Sequence, residues 1–133
     1  MFTEKEIAYM RSQKLARIGT VSADSQPDVS PVGFEFDGKY FYIGGMDNAA
    51  TRKYKNVVKG NSQVALAIDD LESVDPWAPR GIKLYGTADI VEREGYAGRS
   101  SYLRIRPTIS WSWNMESPAM VEGRFVPHKT VHE

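Results

Sequence analysis

A chain of 133 residues, 41% apolar and 26% charged, has the size and proportions of one globular domain with one core, not of a disordered segment. Lysine plus arginine and aspartate plus glutamate both number 17, so the formal charge is zero. That balance argues against a nucleic-acid partner, which a basic excess would serve by displacing counterions.

The first element is a helix. Thr3 and Glu6 form a T-x-x-E capping box, and Phe2 and Ile7 stand where a hydrophobic staple fixes how the chain enters. The spacing predicts a helix over Glu4–Gln13, with Ile7, Met10 and the Lys14–Leu15 stretch on its inward side. Leu15–Ser22 reads as a strand ending in a turn at Ala23–Gln26. Val29–Phe36 reads as a second, with Val32, Phe34 and Phe36 on one face and Pro31 marking an edge or a bulge. Asp37-Gly38 is a hairpin turn, followed by the aromatic strand Lys39–Gly44. Asp47–Asn61 has helical spacing at Ala50, Tyr54, Val57 and Val58, a cap at Asp47 or Asn48, and Gly60 to end it. Gln63–Ile68 is a short buried strand, Asp75–Pro79 a loop carrying Trp77, Gly81–Ile90 a strand, and Val91–Ser100 a charged turn or short helix. In the last strand Leu103, Ile105, Ile109, Trp111 and Trp113 alternate with polar residues, and Pro107 marks a bulge or edge. This pattern puts Trp111 and Trp113 on the core face. Residues 115–133 are expected as loop or tail. About six strands with two or three short helices make an α+β, mainly β, barrel-like domain over residues 1–133.

Several chemistries are excluded by residue type. The absence of cysteine removes disulfides, thiolate metal sites and cysteine nucleophiles. His128 and His132, the two histidines, lie in the last six residues, so no metal site or Ser-His-Asp triad is expected. No apolar run approaches the roughly 20 residues that span a bilayer, and the charged N-terminus lacks a signal-peptide core. A cytoplasmic protein with no membrane partner is expected. Any catalysis would draw its reactivity from a bound cofactor.

The most informative segment is Gly44–Lys59. From Ala49 to Ile68 it carries Arg52, Lys53, Lys55 and Lys59 and no acidic residue. A strand running into two glycines and then a basic helix can hold an anion, with Arg52 and Lys53 as a fork and a point charge on one phosphate. A solvated basic helix face is the alternative. Trp77 and Arg80, in Asp75–Gly81, could cover an aromatic ligand face and pair with an anion, or pack as a loop. Arg104 and Arg106 fall on the polar face of the last strand. No dinucleotide, P-loop, nucleophile-elbow or zinc-protease motif is present.

The run ARIGTVSADSQPDVSPVGF, then YFYIGG, TRKYKNV, VDPWAPRGIKLYGTADI and RIRPTISW, resembles the pyridoxamine 5′-phosphate oxidase-like superfamily of split β-barrel flavin and deazaflavin proteins. Within it the resemblance is strongest to the small branch of F420-dependent oxidoreductases, and it covers Phe2 to Trp113. It implies a homodimer whose two cofactor sites are each lined by both subunits. Thr51, Arg52 and Lys53 match the segment that binds the cofactor phosphate. Ser30, Pro31 and Val32 match the strand beside the ring, and Ile43 and Gly44 the strand end before the phosphate helix. Trp77, Pro79, Arg80 and Gly81 match a loop lining the same cleft. The chain lacks the C-terminal extension of vitamin B6 oxidases, so that activity is not expected.

The resemblance implies hydride transfer from reduced F420 to an electron-poor small-molecule substrate. FMN is the alternative cofactor, and a non-catalytic carrier the alternative role. Lys55 and Arg80 are candidates for the acidic tail of F420. Tyr42, Tyr85 and solvent stay open as proton donors.

Overall fold

The computed structural model describes residues 1–45 and 47–133. Helix α1 spans Glu4–Ser12 and starts on the expected box: the Glu6 amide donates to Thr3 Oγ1 at 3.1 Å, and the Thr3 amide donates to Glu6 Oε1 at 3.0 Å. Phe2 is buried with its ring edge-on to Phe36 and Phe41, at 5.5 and 6.0 Å. Met10 is fully buried, but Leu15 is exposed, because strand β1 (Leu15–Val21) begins there and turns Ala16 and Ile18 inward instead.

Among the described residues seven strands pair in the order β2 (Pro27–Gly33), β1, β5 (Gln63–Ser73), β6 (Ala78–Gly95), β7 (Gly98–Trp113), β4 (Phe41–Ile43) and β3 (Glu35–Phe36), and an eighth, β10 (His128–Val131), adds to β7. Strand β2 (Pro27–Gly33) lies at the edge of the sheet, a position that tolerates Pro31, which has no amide hydrogen to donate. The expected single strand Val29–Phe36 breaks at Phe34, and β3 (Glu35–Phe36) forms a separate hairpin with β4 (Phe41–Ile43). Asp37 Oδ1 closes that hairpin by accepting from the amides of Lys39 and Tyr40, at 2.8 and 2.7 Å, and Gly38 takes a φ of 100°.

The next three strands are longer than the apolar runs that announce them. Strand β5 covers Gln63–Ser73, β6 Ala78–Gly95 and β7 Gly98–Trp113. Val91–Ser100 is therefore a hairpin, not a free turn or helix. Its ladder runs to Gly95 opposite Gly98, and Arg93 ties it to Glu35 at 3.2 Å. In the charged stretch that masked this strand, exposed Glu92 and Glu94 alternate with half-buried Val91, Arg93 and Gly95.

Strand β7 carries the expected bulge. Tyr85 faces Ile109 while the next residue, Gly86, faces Pro107, which leaves Thr108 as the extra residue. Up to the bulge Leu103, Ile105 and Pro107 point inward; beyond it Ser110 and Ser112 do. The expectation that Trp111 and Trp113 belong to the core is corrected by this shift, which leaves both on the outer face and half-buried.

Two buried serines then need polar partners. Ser112 Oγ donates to Glu6 Oε2 at 2.6 Å, which accounts for a fully buried glutamate on α1. Ser110 Oγ lies 2.8 Å from His132 Nε2, and the imidazole packs 4.3 Å from the Phe2 ring. His132 is brought there by β10 (His128–Val131), antiparallel to β7. Residues 115–133, expected as loop or tail, thus hold β10 and a small hairpin of β8 (Met120–Val121) and β9 (Arg124–Phe125). The core inside the sheet is built on Ile18, Phe41, Leu66, Ile82, Leu84 and Ile105. Among the described residues no helix is long and apolar enough to cross a membrane.

Removing the Ser112 hydroxyl leaves Glu6 short of a buried partner. Ser112→Ala should lower the unfolding free energy by about 1–3 kcal/mol in urea titrations, whereas Ser117→Ala, at an exposed position, should change it little. Burial holds the His132 imidazole below its usual 6.5; the Met1 amino group adds to this and Glu6 opposes it. The folded chain then binds that proton less readily than the unfolded chain, so stability is retained above 6.5 and lost as pH falls from there toward the lower folded value. Between about pH 7 and 5 the parent should lose more stability than His132→Gln, measured by denaturant midpoints.

Candidate cofactor site

The basic segment folds as a short 3-10 turn, Asn48–Ala50, and helix α2, Arg52–Val58. The cap of α2 is Thr51 rather than Asp47 or Asn48. Thr51 Oγ1 accepts from the Tyr54 amide at 3.4 Å and donates to the Asn48 carbonyl at 2.6 Å. Asn48 is drawn into the core instead, where its amide nitrogen donates to the carbonyls of Ile43 and Ser101, at 3.3 and 3.0 Å. Among the described residues its Oδ1 is buried without a partner. The inward side of α2 is Asn56 and Val57, not Ala50 and Val58, which are exposed. Asn56 Nδ2 donates to Thr20 Oγ1 at 2.9 Å and so docks α2 on β1. Gly60, at a φ of 98°, ends the segment as expected. Met46, which belongs to the same run, lies outside the described residues.

Arg52 and Lys53 open α2 toward the edge strand. Arg52 is exposed and lines a polar pocket of about 260 Å³ with Ser22, Asp24, Gln26 and Asp28. Lys53 is half-buried, and this burial holds its ammonium below the usual lysine value, with Asp28 opposing. Among the described residues neither cation is within ion-pair distance of a carboxylate, whereas Arg17, Arg80, Arg93 and Arg104 all are. A half-buried ammonium without a counter-ion is what a phosphate would complete, so these residues fit a phosphate-bearing cofactor. Because α2 is seven residues long and Thr51 already serves one of its free amides, the two side chains must supply most of that hold.

Beside this pocket, and sharing Asp28 with it, a groove of about 780 Å³ crosses the outer face of β2, β1, β5, β6 and β7. Gly19, Val29, Ala65, Tyr85, Gly86 and Thr108 line it. On β2, Pro31 is exposed, Ser30 is half-buried with its hydroxyl 3.5 Å from Asp28, and Val32 is buried in the core. Ile43 is fully buried. Gly44 is explained by packing, since a Cβ there would enter the Tyr102 ring; its amide donates to the Tyr96 hydroxyl at 2.7 Å. Tyr85 lies in the groove, whereas Tyr42 does not, and its hydroxyl donates to Asp37 at 2.9 Å.

The Trp77–Gly81 segment sits elsewhere. Along the β5–β6 ladder the near end of the groove is at Ala65 opposite Tyr85, and Arg80 is opposite Asp70. Five residues of strand separate the two, about 17 Å. Arg80 forks onto Asp70, with Nε to Oδ1 at 2.8 Å and Nη2 to Oδ2 at 3.1 Å, and reaches Glu72 at 3.1 Å over the Tyr9 ring. This corrects its reading as a free basic partner for an acidic cofactor tail; Lys55 is exposed. The Pro79 carbonyl accepts from Asn114 at 2.5 Å. A Cβ on Gly81 would lie 2.6 Å from Trp113 and 2.9 Å from the Ile68 carbonyl. Trp77 is 68% exposed. Within one protomer the fold brings Ser30 close to the Arg52–Lys53 pair through Asp28, and leaves Trp77 and Arg80 apart from it. The pattern of the sequence did not single out Asp24, Asp28 or Tyr96. Period two on β2, with Asp28, Ser30 and Val32 sharing a face, is the signal that would have placed Asp28.

A family model described as pyridoxamine 5′-phosphate oxidase matches residues 2–129. A 5a,11a-dehydrotetracycline/5a,11a-dehydrooxytetracycline reductase of Streptomyces rimosus is 36% identical in an alignment of 121 residues that covers 86% of this chain and 84% of the relative. Among solved structures, one named F420 reductase is 20% identical, with a TM-score of 0.63 over 82% of this chain and 98% of its own. HutZ, a heme storage protein of Vibrio cholerae, is 18% identical, with a TM-score of 0.60 over 80% of this chain and 91% of its own. Similarities at that level of identity establish the split-barrel fold alone, whereas the family match covers nearly the whole chain. On that evidence the chain belongs to the pyridoxamine 5′-phosphate oxidase family.

Proposed function

We propose that this protein is a cytoplasmic homodimeric reductase that uses coenzyme F420 to reduce an electron-poor small organic molecule. The observation that carries the reading is the Arg52–Lys53 pair: Arg52 lines the small pocket that adjoins the outer groove, and Lys53, next to it on α2, is a half-buried ammonium with no ion-pair partner among the described residues. The 36% identical reductase, whose name gives dehydro-compounds as its substrates, supports the reaction class. When bound and reduced, the cofactor supplies the hydride. The chain's own part is to hold the phosphate on Lys53 and Arg52, with the ring laid along β2 at Ser30–Val32 and Thr51 keeping α2 in place. Tyr85 is the candidate proton donor that lines the groove. Distance supports the dimer: a second copy would bring a Trp77–Gly81 segment into the cleft that the resemblance assigns to it. FMN is the second reading, favoured by the engagement of Arg80 with Asp70 and Glu72, which leaves fewer free cations for an acidic tail.

Titration of the protein with F420 and, separately, with FMN, followed by ligand fluorescence, tests this. F420 should bind; tight FMN binding without an F420 response would select the second reading, and binding of neither would overturn both. Replacing Arg52 and Lys53 by alanine together should weaken binding by about 1.5–3 kcal/mol for each lost charge-assisted hydrogen bond. Each such bond is about ten- to a hundredfold in Kd. The anion needs the protonated ammonium, and burial holds Lys53 below 10.5. Cofactor affinity should therefore fall as pH rises toward that lowered value, and Lys53→Arg should remove the alkaline loss. Binding isotherms across alkaline pH check it.

A further inference from the structure

Both cations of the phosphate segment face a carboxylate that stands off from them. Asp24 and Asp28 share the small polar pocket with Arg52, and Asp28 acts on Lys53 through space. Neither carboxylate is within ion-pair distance of either cation among the described residues. They are also held in place. The Ser22 hydroxyl donates to Asp24, the Ser22 carbonyl accepts from the Ser25 amide at 3.0 Å, and the Gln26 amide donates to Ser22 Oγ at 3.0 Å, so the β1–β2 turn is fixed on itself. Asp28 sits within β2, opposite Thr20, which Asn56 of α2 binds. An anion held at Arg52 thus meets both carboxylates in the same pocket, and Asp28 acts on the adjacent Lys53 as well.

We propose that Asp24 and Asp28 are affinity-limiting residues of this site: they weaken the hold of Arg52 and Lys53 on an anionic cofactor, so that it exchanges with solvent as a co-substrate instead of staying bound as a prosthetic group. The inference rests on the phosphate reading of Arg52 and Lys53. Its physical basis is that like charges a few ångströms from a bound phosphate oppose it, and that opposed pairs cancel the long-range attraction that salt would otherwise screen. The local charge of the pocket, not the count of cations in the sequence, sets the residence time.

The test is fluorescence titration of the full chain with F420 and with FMN, at low and high salt, for the parent, Asp24→Asn, Asp28→Asn, Asp24→Glu and Lys53→Ala. Stopped-flow dilution gives the dissociation rate. Each asparagine variant should bind about three- to tenfold tighter, release more slowly and lose affinity more steeply with salt. Asp24→Glu should behave as the parent. Asp24 is exposed on a turn, so its variants keep the test open if Asp28→Asn disturbs the strand. If Lys53→Ala weakens binding while both asparagine variants match the parent in affinity and salt slope, this inference is overturned and the phosphate reading stands. If the parent binds neither cofactor, the phosphate reading falls and takes this inference with it.

Discussion

One extra residue in β7 organises much of this molecule. Among the described residues Thr108 has no residue paired with it in the β6 register, its hydroxyl instead donating to the Tyr85 carbonyl at 3.1 Å, and the strand turns over around it. The side that continues the apolar pattern is carried outward, and two serines take its place inside. A buried hydroxyl must be bonded, and the partners come from the two ends of the chain, Glu6 on α1 and His132 after β10. The N-terminal helix and the C-terminal strand are thus joined to one strand by the same irregularity. On the outer side the turnover leaves Ile109, Trp111 and Trp113 half-buried, with Thr108 at the margin of the large groove.

The second organising feature is the docking of α2. A helix of seven residues has little stability of its own and depends on tertiary contact. That contact is a buried amide–hydroxyl bond, Asn56 to Thr20, together with Asn48 reaching back to the end of β4. Both fix where Arg52 and Lys53 emerge relative to β2. The result is a cationic pair that meets carboxylates from a turn and a strand about 25 residues earlier, Asp24 and Asp28 in the pocket that Arg52 lines and Asp28 acting on Lys53. The fork of Arg80 onto Asp70 shows the contrasting case, an arginine whose charge is already met within the protomer.

Much of the architecture was legible before any coordinates. The capping box, the Asp37-Gly38 hairpin, the edge position of Pro31, the bulge at Pro107 and the end of α2 at Gly60 all follow from local rules, because each depends on residues within a few positions of one another. The strand at Val91–Ser100 and β10 were not legible. Their residues are mostly charged or polar, and what makes them strands is a partner already in place: β7 supplies the ladder, and the side chains add little apolar signal of their own.

At the candidate site the division is the same. By itself the pattern of the sequence determined that one small, mainly β, barrel-like domain forms, without cysteine and with a single basic run at Arg52–Lys59, because composition and local spacing are properties of the chain; the split form of the barrel was implied by the family resemblance. Only the tertiary structure decided which cations are free. Arg80 and Arg52 look alike in sequence, yet one lies opposite Asp70 on a β-ladder and the other faces carboxylates that stand off. The faces of Trp111 and Trp113 were decided in the same way, by a bulge whose register exists only when β6 and β7 pair. Charge pairing and burial depend on distance in space, and separations of ten to a hundred residues along the chain carry no local trace of it.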